Sequence, residues 1–328
     1  MTRIVGTLFM VLTGLMIAGL SYGDYPIPLD QLIKTILRMP DAPAYLDMIV
    51  FDLRMPRLLL SMLVGAALAV AGAITQAIMR NPLAEPGLLG INAGAALAVM
   101  LVIVAFKNAP VSLLPWAGFL GAGAMAMMIY LLSWRNGTAS LRIILIGIGL
   151  SSLAGAASTV LSTYGAITDV QRALIWLSGS VYHADWTYVR TLALWLVGPV
   201  TLTLFSLRQL DLICFGDAVA HGLGQRVNLV RVLMISLCTL ISGAAVAAAG
   251  LIGFVGLIAP HIARRLVGPG HRRILPVSAL IGAVLVMAAD LLGRTVIAPS
   301  QLPAGLVTAL IGAPFFGYLL WKHRHVPA

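Results

Sequence analysis

The chain has 328 residues, of which 60% are hydrophobic and 10% are charged, and its mean hydropathy is +0.99. Because a soluble domain carries about 25% charged residues, this composition excludes an ordinary soluble protein and predicts an all-α polytopic membrane protein. The net charge of +10 is interpreted as a sign of membrane topology, and a nucleic-acid partner is not expected.

Ten apolar segments follow one another along the chain, and a spanning helix needs roughly 20 such residues. They are residues 4–20, 56–79, 88–106, 113–132, 143–164, 188–206, 229–249, 254–266, 274–294 and 303–321. The first could pass for a signal peptide, but no small-x-small cleavage site follows it, so a membrane helix is expected. The eighth is too short to span and is expected to dip in beside other helices.

Two polar, proline-containing breaks interrupt this pattern. Residues 80–90 (RNPLAEPGLLG) separate the second and third segments, and residues 253–265 (GFVGLIAPHIARR) contain the short eighth segment. Non-helical backbone at membrane depth is tolerated where it is buried in protein or lines water. Both breaks are therefore predicted to be structured elements.

Charge predicts the orientation. With the N-terminus inside and ten crossings, most of the 21 Lys and Arg fall at cytoplasmic ends, and most of the 11 acids fall outside. This satisfies the positive-inside rule with both termini in the cytoplasm. The charges counted include Asp24, Lys107, Arg135 and Arg324. No change in composition marks a second domain, so residues 1–328 are predicted to form one transmembrane unit.

Several kinds of chemistry are excluded. The three lysines, Lys34, Lys107 and Lys322, each lack a preceding glycine, so a GxxxxGK[ST] phosphate loop cannot form. ATP hydrolysis would therefore have to come from another chain. HExxH and CxxC motifs are absent as well. Cys214 and Cys238 occupy a loop and a helix, and no disulfide, metal or cofactor is expected on this chain.

Three local patterns stand out. Residues 207–228 mix acids with leucines and are predicted to form two short helices broken at glycines. Asp290 lies one turn before Arg294, so an i,i+4 pair is expected. A stripe of small residues runs along the fifth segment, and its members are Gly147, Ser151, Gly155, Ser158 and Ser162. Spacing alone leaves close helix packing and a substrate pathway equally open.

Residues 54–95 (RMPRLLLSMLVGAALAVAGAITQAIMRNPLAEPGLLGINAGA) closely resemble the FecCD-type permeases, which are membrane subunits of type II ABC importers. The resemblance continues in LDLICFGDAVAHGLG (210–224), GFVGLIAPHIARRLVG (253–268), GHRRILPVSALIGA (270–283) and ADLLGR (289–294). It covers nearly all of the chain after residue 50, with the motifs in family order.

The resemblance implies ten helices, with segments two to five and seven to ten as repeats of opposite topology. It also implies a bacterial inner-membrane location, a second permease subunit of the same or a sister chain, and a periplasmic substrate-binding protein. A cytoplasmic ATPase dimer would use ATP and Mg, and this chain would bind neither.

The resemblance assigns site residues as well. Arg54, Arg57 and Arg294 would receive acidic residues of the binding protein, because guanidinium suits carboxylates; the competing interpretation is that they are interfacial arginines. Asn81, Leu83, Ser140 and Leu141 would form the cytoplasmic gate, and the small-residue stripe would line the pathway. The ATPase-coupling residues would be Leu210, Asp211, Leu212, Gly216, Asp217, Ala218, His221, Gly222, Leu223 and Gly224.

The function predicted is uptake of an iron chelate, either a ferric siderophore or ferric citrate. Heme or a corrinoid such as vitamin B12 is the alternative within the family. A secondary transporter driven by an ion gradient would need several buried acids, and Asp290 is the one acid placed well inside a predicted helix.

Overall fold

The computed structural model describes residues 1–23, 25–41, 43–106, 110–134 and 140–323. Asp24, Lys107, Arg135 and Arg324, which entered the topology prediction, lie outside these ranges. Within them the chain is helical, with no strand. The predicted all-α fold is confirmed.

The α-helices of the described residues are α1 (Thr2–Ser21), α2 (Leu29–Ile36), α3 (Ala44–Asp47), α4 (Met55–Met79), α5 (Ile91–Ala105), α6 (Leu114–Ser133), α7 (Ser140–Tyr164), α8 (Ile167–Leu177), α9 (Trp186–Phe205), α10 (Leu207–Cys214), α11 (Asp217–Gly222), α12 (Val227–Ala249), α13 (Val255–Val267), α14 (His271–Thr295) and α15 (Ala304–His323). A π-helical stretch, Met48–Arg54, leads into α4, and 3-10 turns at Pro86–Leu89 and Val111–Leu113 precede α5 and α6.

Each of the ten predicted segments corresponds to one of these helices, with ends that differ by up to three residues. Among the described residues, eight helical stretches are long and apolar enough to cross a membrane, and they contain α1, α4, α6, α7, α9, α12, α14 and α15. The short eighth segment is confirmed as α13, with 13 residues. The third segment, predicted as a full span, is shorter than expected because Gly90 adopts a left-handed conformation and delays the start of the 15-residue α5.

The centre of the fold is α4, and 78% of its apolar window is buried inside the chain. A Cβ atom on Gly65 would lie 2.1 Å from the carbonyl oxygen of Gly282, and one on Gly72 would lie 1.9 Å from that of Gly256. Glycine at these positions therefore lets α4 contact α14 and α13 backbone to backbone.

The helix packing follows the predicted repeat, in which α4–α7 correspond to α12–α15. In the first half α4 packs on α12 and α14, and in the second half α12 packs on α4 and α6. The short second helix of each half, α5 or α13, packs along the helix that follows it. Equivalent helices thus have equivalent partners, which supports the repeat.

Candidate functional site

Two regions that the sequence singled out lie at opposite ends of α4. Arg57 lies in its first turn, and Arg80 follows its last residue. A helix of 25 residues is roughly 37 Å long. The region around Arg57 and the region around Arg80 are therefore on opposite faces of the membrane unit.

The two predicted short helices, α10 and α11, lie at the end of α4 that is followed by Arg80. They are separated at Gly216, whose φ of +101° lies where glycine is favoured. Leu210, Ile213 and Ala220 anchor the pair, with exposures of 0%, 1% and 0%. Phe215 and Leu223, by contrast, are 70% and 63% exposed. The segment is thus a packed element that presents an apolar outer surface.

The two acids of this segment bind within the chain. Asp211 accepts the backbone N–H of His271 at 2.9 Å and contacts His271 Nδ1 at 2.6 Å. This carboxylate lies at the N-terminus of α14, where negative charge is favourable. Asp217 pairs with Arg231 at 2.8 Å and lies 4.0 Å from Arg80. The acids therefore tie the segment to α14, α12 and the end of α4.

The predicted coupling residues other than Leu210 and Asp211 fall into a half-buried group and an exposed group. Leu212, Gly216 and Asp217 are half-buried, whereas Ala218, His221, Gly222, Leu223 and Gly224 are exposed. The exposed group belongs mainly to α11 and the turn that follows. A docking partner would meet this surface first.

At the opposite end of α4, Arg57 is held in a buried ion pair. Its Nη2 atom lies 2.8 Å from Asp290 Oδ1, and its Nε atom lies 3.0 Å from both carboxylate oxygens. Its Nη1 atom donates to Gln301 at 2.9 Å, and the guanidinium carbon lies 5.3 Å from the ring centre of Tyr182. This pair joins the start of α4 to the end of α14.

The other two predicted docking arginines cap the C-terminus of α1. Arg54 donates to the carbonyl oxygens of Leu20 and Tyr25, and Arg294 donates to that of Gly19 at 2.9 Å. The last carbonyls of a helix lack partners within it, and cations there are favourable. Arg54 and Arg294 are 7% and 5% exposed, so both guanidinium groups are committed inside this chain.

The expected i,i+4 pair is present, but it is the longer of two contacts to Asp290. Arg294 Nε lies 4.0 Å from Asp290, whereas Arg57 contacts the same carboxylate at 2.8 Å. The main partner of Asp290 is therefore Arg57, because the packing of α4 on α14 brings it closer than its neighbour along the helix. Counting Arg54, the cluster holds three guanidinium groups and one carboxylate, which leaves it with an excess of positive charge.

Three of the four predicted gate residues gather at the end of α4 near Arg80. Asn81 accepts the N–H of Leu83 at 2.9 Å, and Ser140 donates to the carbonyl oxygen of Ile78 at 2.8 Å. Leu83 packs against the cluster that joins α13 to α15. Leu141, next to Ser140 in the chain, is 67% exposed.

The small-residue stripe on α7 serves two purposes. A Cβ atom on Gly147 would lie 2.3 Å from the carbonyl oxygen of Leu88, so this glycine is needed for packing. One on Gly155 would meet no heavy atom of the described residues within 4 Å. Ser151, Ser158 and Ser162 are half-buried. The packing interpretation applies to Gly147, whereas the described residues leave open space beside Gly155.

The two breaks in the apolar pattern contact each other, which sequence reasoning missed. A Cβ atom on Gly256 would lie 2.8 Å from Pro86, and the carboxylate of Glu85 accepts the N–H of Phe254. Burial raises the pKa of Glu85 above its usual value of 4.5, against the opposite effect of this hydrogen bond. Gln76, which donates to the carbonyl of Leu257 at 3.2 Å, could have been noticed as a polar residue inside an apolar helix.

A cavity of about 700 Å³ opens beside Arg57. Its walls come from the outer ends of α4, α6, α8, α9 and α12, and they include Arg172, Trp176, Tyr182 and His183. His261 lies against Phe315, with the ring centres 6.1 Å apart. Among the described residues, no group of three His, Cys, Asp or Glu side chains could hold a metal ion.

Comparison with known proteins agrees with this architecture. The model of the FecCD transport family matches residues 9–322. A solved chain of an ABC transporter described as metal-chelate type, in an inward-facing conformation, superposes with a TM-score of 0.88 at 29% identity, covering 98% of this chain and 100% of its own.

Three curated relatives are similar over most of their length. The iron(3+)-hydroxamate import permease FhuG of Bacillus subtilis is 43% identical, with 84% of each chain covered. The Fe(3+) dicitrate permease FecD of Escherichia coli is 39% identical over 96% of this chain and 97% of its own. The hemin permease HmuU of Yersinia pestis is 41% identical, with 83% of each chain covered. On this match along its whole length, the chain belongs to the FecCD transport family.

Proposed function

We propose that this chain is the permease subunit of an ABC importer and carries a ferric chelate from the periplasm to the cytoplasm. The observation that carries the proposal is the packed pair α10–α11. It presents an exposed apolar surface and is tied to three helices that reach the opposite face. A rigid element of this kind can pass a partner's movement to the membrane helices, whereas a loose loop cannot.

The assembly proposed has four kinds of component. An ATPase dimer docks on the α10–α11 surface and uses ATP and Mg, while this chain binds no cofactor. A second permease subunit completes the pathway along α7, whose 18-residue window is 17% buried in the single chain. A periplasmic binding protein docks outside. Both termini of the chain lie in the cytoplasm of a bacterial cell.

The docking surface for the binding protein is proposed at the arginine cluster of Arg54, Arg57 and Arg294. All three side chains are hydrogen-bonded inside the chain. The support for docking is their excess positive charge, which attracts carboxylates. Asn81, Leu83, Ser140 and Leu141 are proposed to form the cytoplasmic gate, and the α7 stripe is proposed to line the pathway.

The substrate is proposed from the relatives, whose names specify ferric hydroxamate and ferric dicitrate. Hemin is the second candidate because HmuU is equally similar. A corrinoid remains the further alternative within the family.

The test is uptake by proteoliposomes that contain the chain with its co-purified partners. The expected result is ⁵⁵Fe uptake from ferric citrate or a ferric hydroxamate that requires internal ATP and is insensitive to ionophores. Uptake of hemin or cobalamin, and not of these ferric chelates, would identify hemin or cobalamin as the substrate. Uptake by the chain alone, driven by an ion gradient and independent of an ATPase, would overturn the proposal that the chain belongs to an ABC importer.

A further inference from the structure

The connection between α1 and α4 contains a short helix, α2, whose surface divides into three sectors. One sector faces the protein and includes Leu32 and Thr35, which are 2% and 0% exposed. A second sector is polar and includes Asp30 and Lys34. Because successive residues turn by about 100°, these two sectors lie on different sides of the helix.

The third sector is apolar and uncovered by the described residues of this chain. Its residues lie one turn apart along the helix and just beyond its end. They are Leu29, Ile33, Ile36 and Leu37, with exposures of 57%, 54%, 43% and 61%. A helix on a water-exposed surface needs one apolar sector for the protein, and this helix has a second one.

The surroundings of this apolar sector are those of a membrane-facing surface. α2 packs on α1 and α3. α1 is a spanning helix, and it exposes Phe9 and Met10 to 56% and 73%. The chain leaves α1 through Tyr22 and Tyr25, and Tyr25 contacts Tyr45 edge to face with a hydroxyl–hydroxyl distance of 3.1 Å. Tyrosines are enriched where a membrane meets water.

We propose that α2 is an interfacial helix, with its exposed apolar sector inserted at the boundary between lipid headgroups and acyl chains. Each sector then has its own medium: Leu32 and Thr35 face protein, Ile33 and its neighbours face lipid, and Asp30 and Lys34 face water. Helices of this type insert their apolar face by about 5–10 Å. The occupant of the surface is the bilayer, independently of what the protein transports.

The interfacial position has a consequence for the arginine cluster. The carbonyl of Tyr25, four residues before α2, accepts a hydrogen bond from Arg54. The segment that rests on the lipid surface therefore also holds one of the three arginines. The membrane contact of α2 and the hydrogen bond that holds Arg54 are therefore only four residues apart along the chain.

The proposal is tested with nitroxide labels on single cysteines in the full chain, reconstituted in phosphatidylcholine–phosphatidylglycerol vesicles. The background variant is Cys214→Ser, because Cys214 is exposed while Cys238 is buried. One label is placed in each sector through Ile33→Cys, Asp30→Cys and Thr35→Cys. Power saturation then measures collisions with oxygen, which concentrates in lipid, and with a water-soluble nickel chelate.

The expected result is a reversal of accessibility within one helical turn. The label at position 33 collides more with oxygen than with nickel, and the label at position 30 shows the opposite preference. Position 35 is the matched control for protein contact and is protected from both. Nickel accessibility at position 33 equal to that at position 30 would place the sector in water, and protection from both reagents would place it under a protein partner. Either result would overturn the proposal.

Discussion

Removing one member of the buried pair of Arg57 and Asp290 is expected to destabilise the protein strongly. Their side chains are 10% and 2% exposed, and they join α4 to α14. Removing one partner of a buried ion pair costs about 3–5 kcal/mol, because the other charge is left without compensation. The two partners differ here, since Arg294 lies 4.0 Å from the same carboxylate.

The two single substitutions should therefore be unequal. Asp290→Ala leaves two buried guanidinium groups facing each other, so its cost should lie near 5 kcal/mol, at the upper end of the range. Arg57→Ala leaves Asp290 with Arg294 as an alternative partner, so its cost should lie near 3 kcal/mol. The double variant Arg57→Met/Asp290→Leu should cost less than Asp290→Ala, because it leaves one fewer buried positive charge without a carboxylate to balance it.

The assay is unfolding in mixed micelles of dodecyl maltoside with increasing sodium dodecyl sulfate, followed by far-ultraviolet circular dichroism. Asp47→Ala is the control, because Asp47 is an exposed acid on α3, and its midpoint should match that of the unmodified protein. A cost for Asp290→Ala equal to that of Asp47→Ala would refute the reasoning. So would a double variant that costs at least as much as Asp290→Ala, because the guanidinium group of Arg57 left without its carboxylate would then not be the source of the loss.

Three further outcomes are expected. Gly72→Val should abolish recovery of folded protein in size-exclusion chromatography, because its Cβ would lie 1.9 Å from the carbonyl oxygen of Gly256. Gly14→Ala is the control and should elute like the unmodified protein, because its Cβ would meet no heavy atom of the described residues within 4 Å. Leu223→Asp should reduce ATP-driven uptake by at least tenfold while leaving the unfolding midpoint unchanged, because Leu223 is 63% exposed on the proposed ATPase surface. Leu223→Met is its control, and unchanged uptake by the Asp variant would argue against that surface. The pKa of Glu85 is higher in the folded protein than its usual 4.5, so the folded state binds this proton more tightly, and stability should fall as pH rises above 4.5 through the folded pKa. Glu85→Gln should therefore raise the melting temperature at pH 8 more than at pH 5, and an equal effect at both would contradict the assignment.

Local features of the sequence were sufficient to predict ten long or apolar helices and the pair α10–α11, but not α2, α3 or α8. Ten apolar runs correspond to ten helices because membrane insertion depends on the composition of a short stretch. The separation of α10 from α11 was predictable as well, since Gly216 can adopt a positive φ that other residues resist. The length of α5 was not, because a single left-handed residue, Gly90, decides where that helix begins.

The polar contacts between helices were predicted less well, because they depend on tertiary packing. Asp290 was paired with Arg294 from their spacing, yet Arg57, 233 positions away along the chain, is the closer partner. Arg54 was assigned to a partner protein, and its spacing in the sequence did not reveal that its guanidinium group also donates to the carbonyl groups of Leu20 and Tyr25. The glycines of the α7 stripe look alike in sequence. A Cβ atom added at Gly147 would contact Leu88, whereas one added at Gly155 would meet no heavy atom of the described residues within 4 Å.

The backbone contacts of α4 also bear on how such a protein can diversify. At Gly65 and Gly72 the neighbouring backbone occupies the place of any side chain, so these positions permit essentially one amino acid. Residues on α7 that face open space have no such constraint. Substitutions along the α7 wall of the proposed pathway could therefore change the size of the cargo admitted, while the packing of α4 on α13 and α14 stays unaltered.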